Sequence, residues 1–124
     1  MENKEIKVAV LGASDNRERY SHKAVLLLKE KGYTVIPVHP SVQQIEGIPV
    51  VPAMKLIKES IDTVSVYLSS QTVAAYIKDI VALKPKRVIM YPGAESEELE
   101  SALQKSKIPC LRACTLVLLK TGQF

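Results

Sequence analysis

A chain of 124 residues, 47% hydrophobic and 24% charged, can bury one core but not two full ones, which excludes a disordered chain and puts every functional residue around a single site. Its 17 Lys and Arg against 13 Asp and Glu leave a formal charge of +4 without a basic block, and five Tyr, one Phe and no Trp offer little for stacking bases. This balance disfavours nucleic acid as a partner and suits a small anionic ligand.

Residues 1–7 are charged and lack the apolar core of a signal peptide, and no apolar run approaches the roughly 18 residues of a membrane span, so the expected setting is cytoplasmic with no membrane partner. Residues 6–11 (IKVAVL) form a β-rich apolar run that stops at Gly12. Residues 21–31 (SHKAVLLLKEK) carry a helical stripe, with Ser21 as the expected cap and Gly32 as the end. A strand at 34–38 (TVIPV), a Pro40-Ser41 turn and a short extended piece at Val50-Val51 follow, then a short helix opened by Pro52. Residues 63–68 (TVSVYL) predict a strand, and Ser69 or Ser70 caps a helix running to Lys84 on the stripe Val73, Tyr76, Ile77, Ile80, Val81 and Leu83. A fourth strand spans 87–91 (RVIMY), and Pro92-Gly93 makes a turn. The helix expected at 94–107 has Glu95, Glu97 and Glu98 at its start and Lys105 and Lys107 at its end, the order that suits the helix dipole. A fifth strand begins at 110–112; residues 116–119 fit helix or strand equally.

Cys110 and Cys114 are too few for a disulfide framework and lack the His or second Cys pair of a zinc site. On one extended strand their Cα atoms would stand ~13 Å apart, beyond the roughly 7 Å that a disulfide spans, so two free thiols are expected.

Strands alternating with helices over short loops predict a doubly wound, Rossmann-like α/β domain over residues 1–124: a parallel sheet of about five strands with helices on both faces. In such sheets ligands lie beyond the carboxyl ends of the strands, where strand order reverses, which singles out residues 12–21, 39–41, 69–72 and 92–95. The first of these loops, GASDNRERYS, opens a helix, where backbone N–H groups and the helix dipole receive phosphate. Gly12 is its only glycine, so it is not the full G-x-G-x-x-G fingerprint. Ser14 offers a hydroxyl donor, Arg17, Arg19 and Lys23 offer cations, and Tyr20 offers a wall for an adenine or pantetheine group. At the end of the second strand, where NAD-binding relatives of this architecture carry an acidic residue, the chain has Val38, His39 and Pro40 and no carboxylate until Glu46. NAD is disfavoured; NADP and coenzyme A, which carry an additional ribose phosphate, are not.

The ordered succession VAVLGAS, Tyr20 and Ser21, GYTVIPVHP, the turn at Glu46 and Gly47 before VVP, DTVSVYL, KPKRVIMYPGAE and ACTLVLLKTGQF resembles the small stand-alone CoA-binding domain proteins. Those are similar to the N-terminal CoA-binding domain of the succinyl-CoA ligase alpha subunit, a Rossmann-like fold. The resemblance covers nearly the whole chain and implies that Gly12, Ala13 and Ser14 hold the pyrophosphate, that His39 and Pro40 border the adenosine, that Leu68, Ser69 and Ser70 run along the nucleotide, and that Pro92 and Gly93 lie near the pantetheine arm. Arg17, Tyr20 and Ser21 complete the candidate set. The ligase relatives carry a more glycine-rich first loop and a lysine after the second strand, where this chain has His39, Pro40 and Ser41.

The implied function is binding of CoA or an acyl-CoA by a non-catalytic module. No nucleophile, base or metal set stands out: His22 and His39 have no sequence reason to join a triad, and Glu95, Glu97, Glu98 and Glu100 suit a solvated helix start better than a metal. Cys114 is read as a small buried hydrophobe, with a mixed disulfide to the ligand thiol as the alternative. The rival functions are a small NADP-dependent reductase and a CoA-binding subunit serving a separate acyl-CoA enzyme; a homo-oligomer or a partner enzyme is compatible with the sequence.

Overall fold

Apolar runs with no polar face need cover on both sides, and the computed structural model, which describes residues 6–124, supplies it. The charged opening segment lies outside the described residues over positions 1–5. In chain order the elements are β1 (Lys7–Leu11), α1 (Tyr20–Glu30), β2 (Thr34–Val38), β3 (Gln44–Ile45), β4 (Ile48–Pro49), a 3₁₀ turn (Met54–Leu56), β5 (Thr63–Val66), α2 (Ser70–Val73), a second 3₁₀ turn (Ala74–Tyr76), α3 (Ile77–Leu83), β6 (Arg87–Met90), α4 (Glu97–Lys105), β7 (Cys110–Arg112) and α5 (Thr115–Lys120).

Five strands pair in parallel in the order β2-β1-β5-β6-β7, so the chain reverses direction across the sheet between β1 and β5. The register places Leu11 opposite Val38 and Val66, Val66 opposite Met90, and Met90 opposite Arg112. The carboxyl ends of all five strands therefore stand in one row. Alternation along β1 sends Val8 and Val10 to one face, against Val25 and Leu28 of α1, Leu119 of α5 and Ile45 of β3. Ala9 and Leu11 go to the other, with Val64, Val66, Val88 and Met90, under Ile77 and Ile80 of α3 and Leu99 and Leu103 of α4. The sheet is covered on both faces, as predicted.

Several boundaries shift for local reasons. The helix predicted from Ser21 has Arg19 at its N-cap position with no side-chain cap, and Ser21 is buried inside the first turn rather than capping it. The helix predicted at 69–84 keeps its Ser69 cap, whose Oγ accepts Thr72 N–H at 3.2 Å, but tightens into a 3₁₀ turn midway, leaving Val73, Ile77 and Ile80 buried. It ends at Lys84, left-handed at φ 52°, because the residue before Pro85 avoids the α region. The helix predicted at 94–107 begins only after Ser96, since residues 91–94 close a turn through Ala94 N–H to Tyr91 C=O at 2.7 Å. The Pro52 segment makes a single 3₁₀ turn, and the ambiguous stretch at 116–119 is α5. Cys110 lies on β7 and Cys114 at the head of α5, so the extended spacing does not apply between them; both thiols are free.

The expected turn at Glu46 and Gly47 is present, at φ 49° and 84°, and the residues flanking it, which the apolar pattern does not mark as strands, pair as β3 and β4 in a small antiparallel hairpin beside β2. Beyond it, Val51 N–H donates to the Pro37 carbonyl at 2.9 Å and His39 N–H donates to the Val51 carbonyl at 3.1 Å.

Candidate functional site

The residues that follow four neighbouring strands, Gly12 after β1, His39 after β2, Tyr67 after β5 and Tyr91 after β6, all line one cleft of about 540 Å³ at the point where strand order reverses. Ala13, Ser14, Glu18, Arg19, Tyr20, Ser21 and Leu68 complete its walls.

Gly12 turns the chain out of β1 at φ +88°, and a Cβ there would stand 2.9 Å from Leu68 Cδ2 and 3.3 Å from the Tyr67 carbonyl carbon. Only glycine fits both constraints. The N–H groups of Gly12 and Ala13 both donate to the Val38 carbonyl at 3.3 Å, which ties the first loop to the end of β2 and occupies those two donors. Ser14 Oγ accepts Asn16 N–H at 3.0 Å, leaving its own hydroxyl hydrogen available. At the head of α1 no side chain caps the first turn and that turn holds no acid, so the N–H groups of Tyr20 and Ser21, both of which line the cleft, are open to an anion. His39 Nδ1 accepts Ser41 N–H at 3.0 Å and Val42 N–H at 3.1 Å, so in the neutral ring the hydrogen sits on Nε2.

Three tyrosines from three strand-to-helix junctions make an aromatic wall. Tyr91 stacks on Tyr67 with centroids 5.0 Å apart and lies 5.5 Å from Tyr20, which is 53% exposed and carries Lys23 Nζ 5.4 Å from its ring centre. The Tyr67 hydroxyl is buried without a hydrogen-bond partner in good geometry. Burial holds that phenol well above its usual pKa, against a smaller opposing pull from the Ser65 and Thr115 hydroxyls, which bond each other at 2.7 Å. Burial raises Tyr91 as well, followed by its proximity to Tyr20 and Cys114. Cys114 thus sits within electrostatic reach of two members of the wall.

Of the sequence candidates, Gly12, Ala13, Ser14, Tyr20, Ser21, His39 and Leu68 line the cleft; Arg17, Pro40, Ser69, Ser70, Pro92 and Gly93 do not. Arg17 turns to Glu46 at 3.3 Å, and Arg19 supplies the cleft's cation instead. Glu18 adds a carboxylate to the wall. The apolar pattern marks Tyr67 and Tyr91 as strand residues at 63–68 and 87–91, which hides them as candidates for the site. Among the described residues no three His, Cys, Asp or Glu side chains gather as a metal site, and no helix is long and apolar enough to cross a membrane. Glu95 accepts Gly93 N–H at 2.9 Å, and Glu100 forms a two-pronged pair with Arg112 at 2.6 and 2.7 Å. Cys110 lies away from the cleft on β7, its thiol pushed up to about 11 by burial and then by the Glu100 charge.

A cleft at the reversal of a five-stranded parallel sheet is the ligand position that a Rossmann-like α/β fold provides. Residues 7–120 match the family described as CoA binding domain, and the chain belongs to that family. A solved structure of an uncharacterized protein is 38% identical, with a TM-score of 0.90 over 96% of this chain and 98% of its own. The uncharacterized protein YneT of Bacillus subtilis (strain 168) is 27% identical over 99 residues, 80% of this chain and 73% of its own. The fold also matches, at 20% identity and a TM-score of 0.75 over 89% of this chain, 26% of a dinucleotide-forming acetyl-coenzyme A synthetase from Ca. Korarchaeum cryptofilum.

Proposed function

We propose that this chain is a single-domain, non-catalytic binding module for coenzyme A or an acyl-CoA, and that the cleft at the reversal of strand order is its site. The observation that carries the reading is the uncapped head of α1, with no acid in its first turn, opening on a glycine turn that leaves no room for a side chain, in a member of the CoA-binding domain family. The diphosphate would lie against the first-turn N–H groups, the Ser14 hydroxyl and Arg19. His39, with Nε2–H available, would meet the adenosine end, and the pantetheine arm would pass the tyrosine wall. The thiol end of the ligand then approaches Cys114, and two free cysteines suit a reducing, cytoplasmic setting.

The test is thermal stabilisation. CoA should raise the melting temperature most, dephospho-CoA next and NAD little; a ligand at ~100 times its Kd adds about 2.7 kcal/mol. NADP first with CoA inert would overturn the reading and favour a reductase. Thioester turnover by the purified chain would overturn the non-catalytic half of it.

A further inference from the structure

The buried histidine of α1 has no role in the site so far. His22 is 2% exposed, and its Nδ1 lies 2.8 Å from the Ser14 carbonyl oxygen. A carbonyl only accepts, so Nδ1 carries the hydrogen and donates. In a trans peptide the N–H points opposite to the C=O. With the Ser14 carbonyl drawn inward onto the ring, the N–H of the next residue, Asp15, is turned away from the core, and it has no protein partner among the described residues. The other ring nitrogen, Nε2, is buried without a hydrogen-bond partner and stands 3.5 Å from Glu46 Oε2, at the tip of the β3–β4 hairpin. The same carboxylate oxygen holds Arg17.

We infer that His22 is a positioning residue that fixes the Ser14–Asp15 peptide so that Asp15 N–H faces a phosphate oxygen lying beside Ser14. The inference rests on reading the cleft as a CoA site. Glu46, at positive φ in the tight turn, reaches the first loop from a different part of the chain and holds Arg17 there at 3.3 Å. With Gly12 and Ala13 N–H spent on the Val38 carbonyl, and those of Asn16, Glu18 and Arg19 bonded within the loop, Asp15 N–H is left to the loop together with those of Ser14, Arg17 and the helix head.

Nitrogen-15 NMR of the full chain tests this. The His22 ring should carry its hydrogen on Nδ1, and a bare Nδ1 overturns the inference with no variant needed. In the wild type, CoA and, separately, inorganic pyrophosphate should each shift the Asp15 amide signal. His22→Leu should bind both about tenfold more weakly, the scale of a lost buried hydrogen bond, with the Asp15 response gone. His22→Asn, which keeps a donor, should recover part of both. A folded His22→Leu with wild-type CoA affinity, or a wild-type Asp15 amide indifferent to bound CoA, overturns the inference and leaves the CoA reading standing. If CoA does not bind, that reading fails, and the pyrophosphate series decides His22 alone: the same tenfold loss supports it, and no binding or no loss overturns it. Should His22→Leu fail to fold, the ring tautomer and the wild-type Asp15 response decide.

Discussion

The junction after β1 and the junction after β6 stand at the same level of the sheet, each leading from a parallel strand through a glycine turn into a helix, and they treat the helix head in opposite ways. At α4, Ser96 Oγ takes Leu99 N–H at 3.1 Å, and Glu97, Glu98 and Glu100 fill the first turn, so the protein satisfies its own helix end. At α1 the cap position holds Arg19, no acid follows, and the donors stay open. The turns differ in the same sense. Gly93 has open space where a Cβ would go, whereas Gly12 is packed against Leu68 and the backbone of Tyr67. On the proposed reading, the incomplete helix end beside a crowded glycine serves a ligand, and the complete one beside a roomy glycine serves the fold alone.

The largest effect that would break this contrast is at Gly12. Gly12→Val should abolish CoA binding and destabilise the fold by about 1–3 kcal/mol, since a β-branched residue is strained at positive φ and strikes Leu68; calorimetric titration and urea unfolding read the two losses. Arg19→Ala should weaken CoA about tenfold, with a shallower salt dependence and an unchanged melting temperature in the absence of ligand. Ser96→Ala should do the reverse, lowering stability by about 1 kcal/mol while CoA affinity stays at the wild-type value. An affinity loss from Ser96→Ala, or none from Arg19→Ala, would erase the distinction between the two junctions.

The smallest effect concerns acid. Hydrogen bonds from Arg112 hold the Glu100 carboxyl below the usual carboxylate range. A folded-state pKa that is depressed contributes stability above the ordinary carboxylate value and loses it as pH falls through the folded value. Arg112→Ala should therefore flatten the fall of melting temperature with acid slightly, leaving CoA affinity at neutral pH intact.

How far the sequence discloses all this depends on how local each signal is. The five strands and the α/β alternation are legible because apolar runs and turn residues act over a few positions. Ser21 misleads because a hydroxyl before an apolar run is the usual mark of a cap, and here the cap position falls two residues earlier, on Arg19, with no side-chain cap. Arg17 misleads for a different reason: its partner, Glu46, lies in another segment, and only the tight hairpin turn brings it near. Tyr67 and Tyr91 are invisible as site residues until the register sets the strand ends in one row.

Pro37 has a consequence for how this molecule behaves at high concentration. A residue in a strand directs its N–H and C=O to the same side, and the Pro37 carbonyl meets Val51 on the outer edge of the sheet, so the donor that proline lacks is missing from that edge. The chain at Val51 takes the acceptor, and His39 N–H is taken in turn. The opposite edge, β7, is three residues long. Among the described residues neither border of the sheet offers an incoming strand a long run of partners, one interrupted at Pro37 and the other only three residues in length, which disfavours self-association by strand addition.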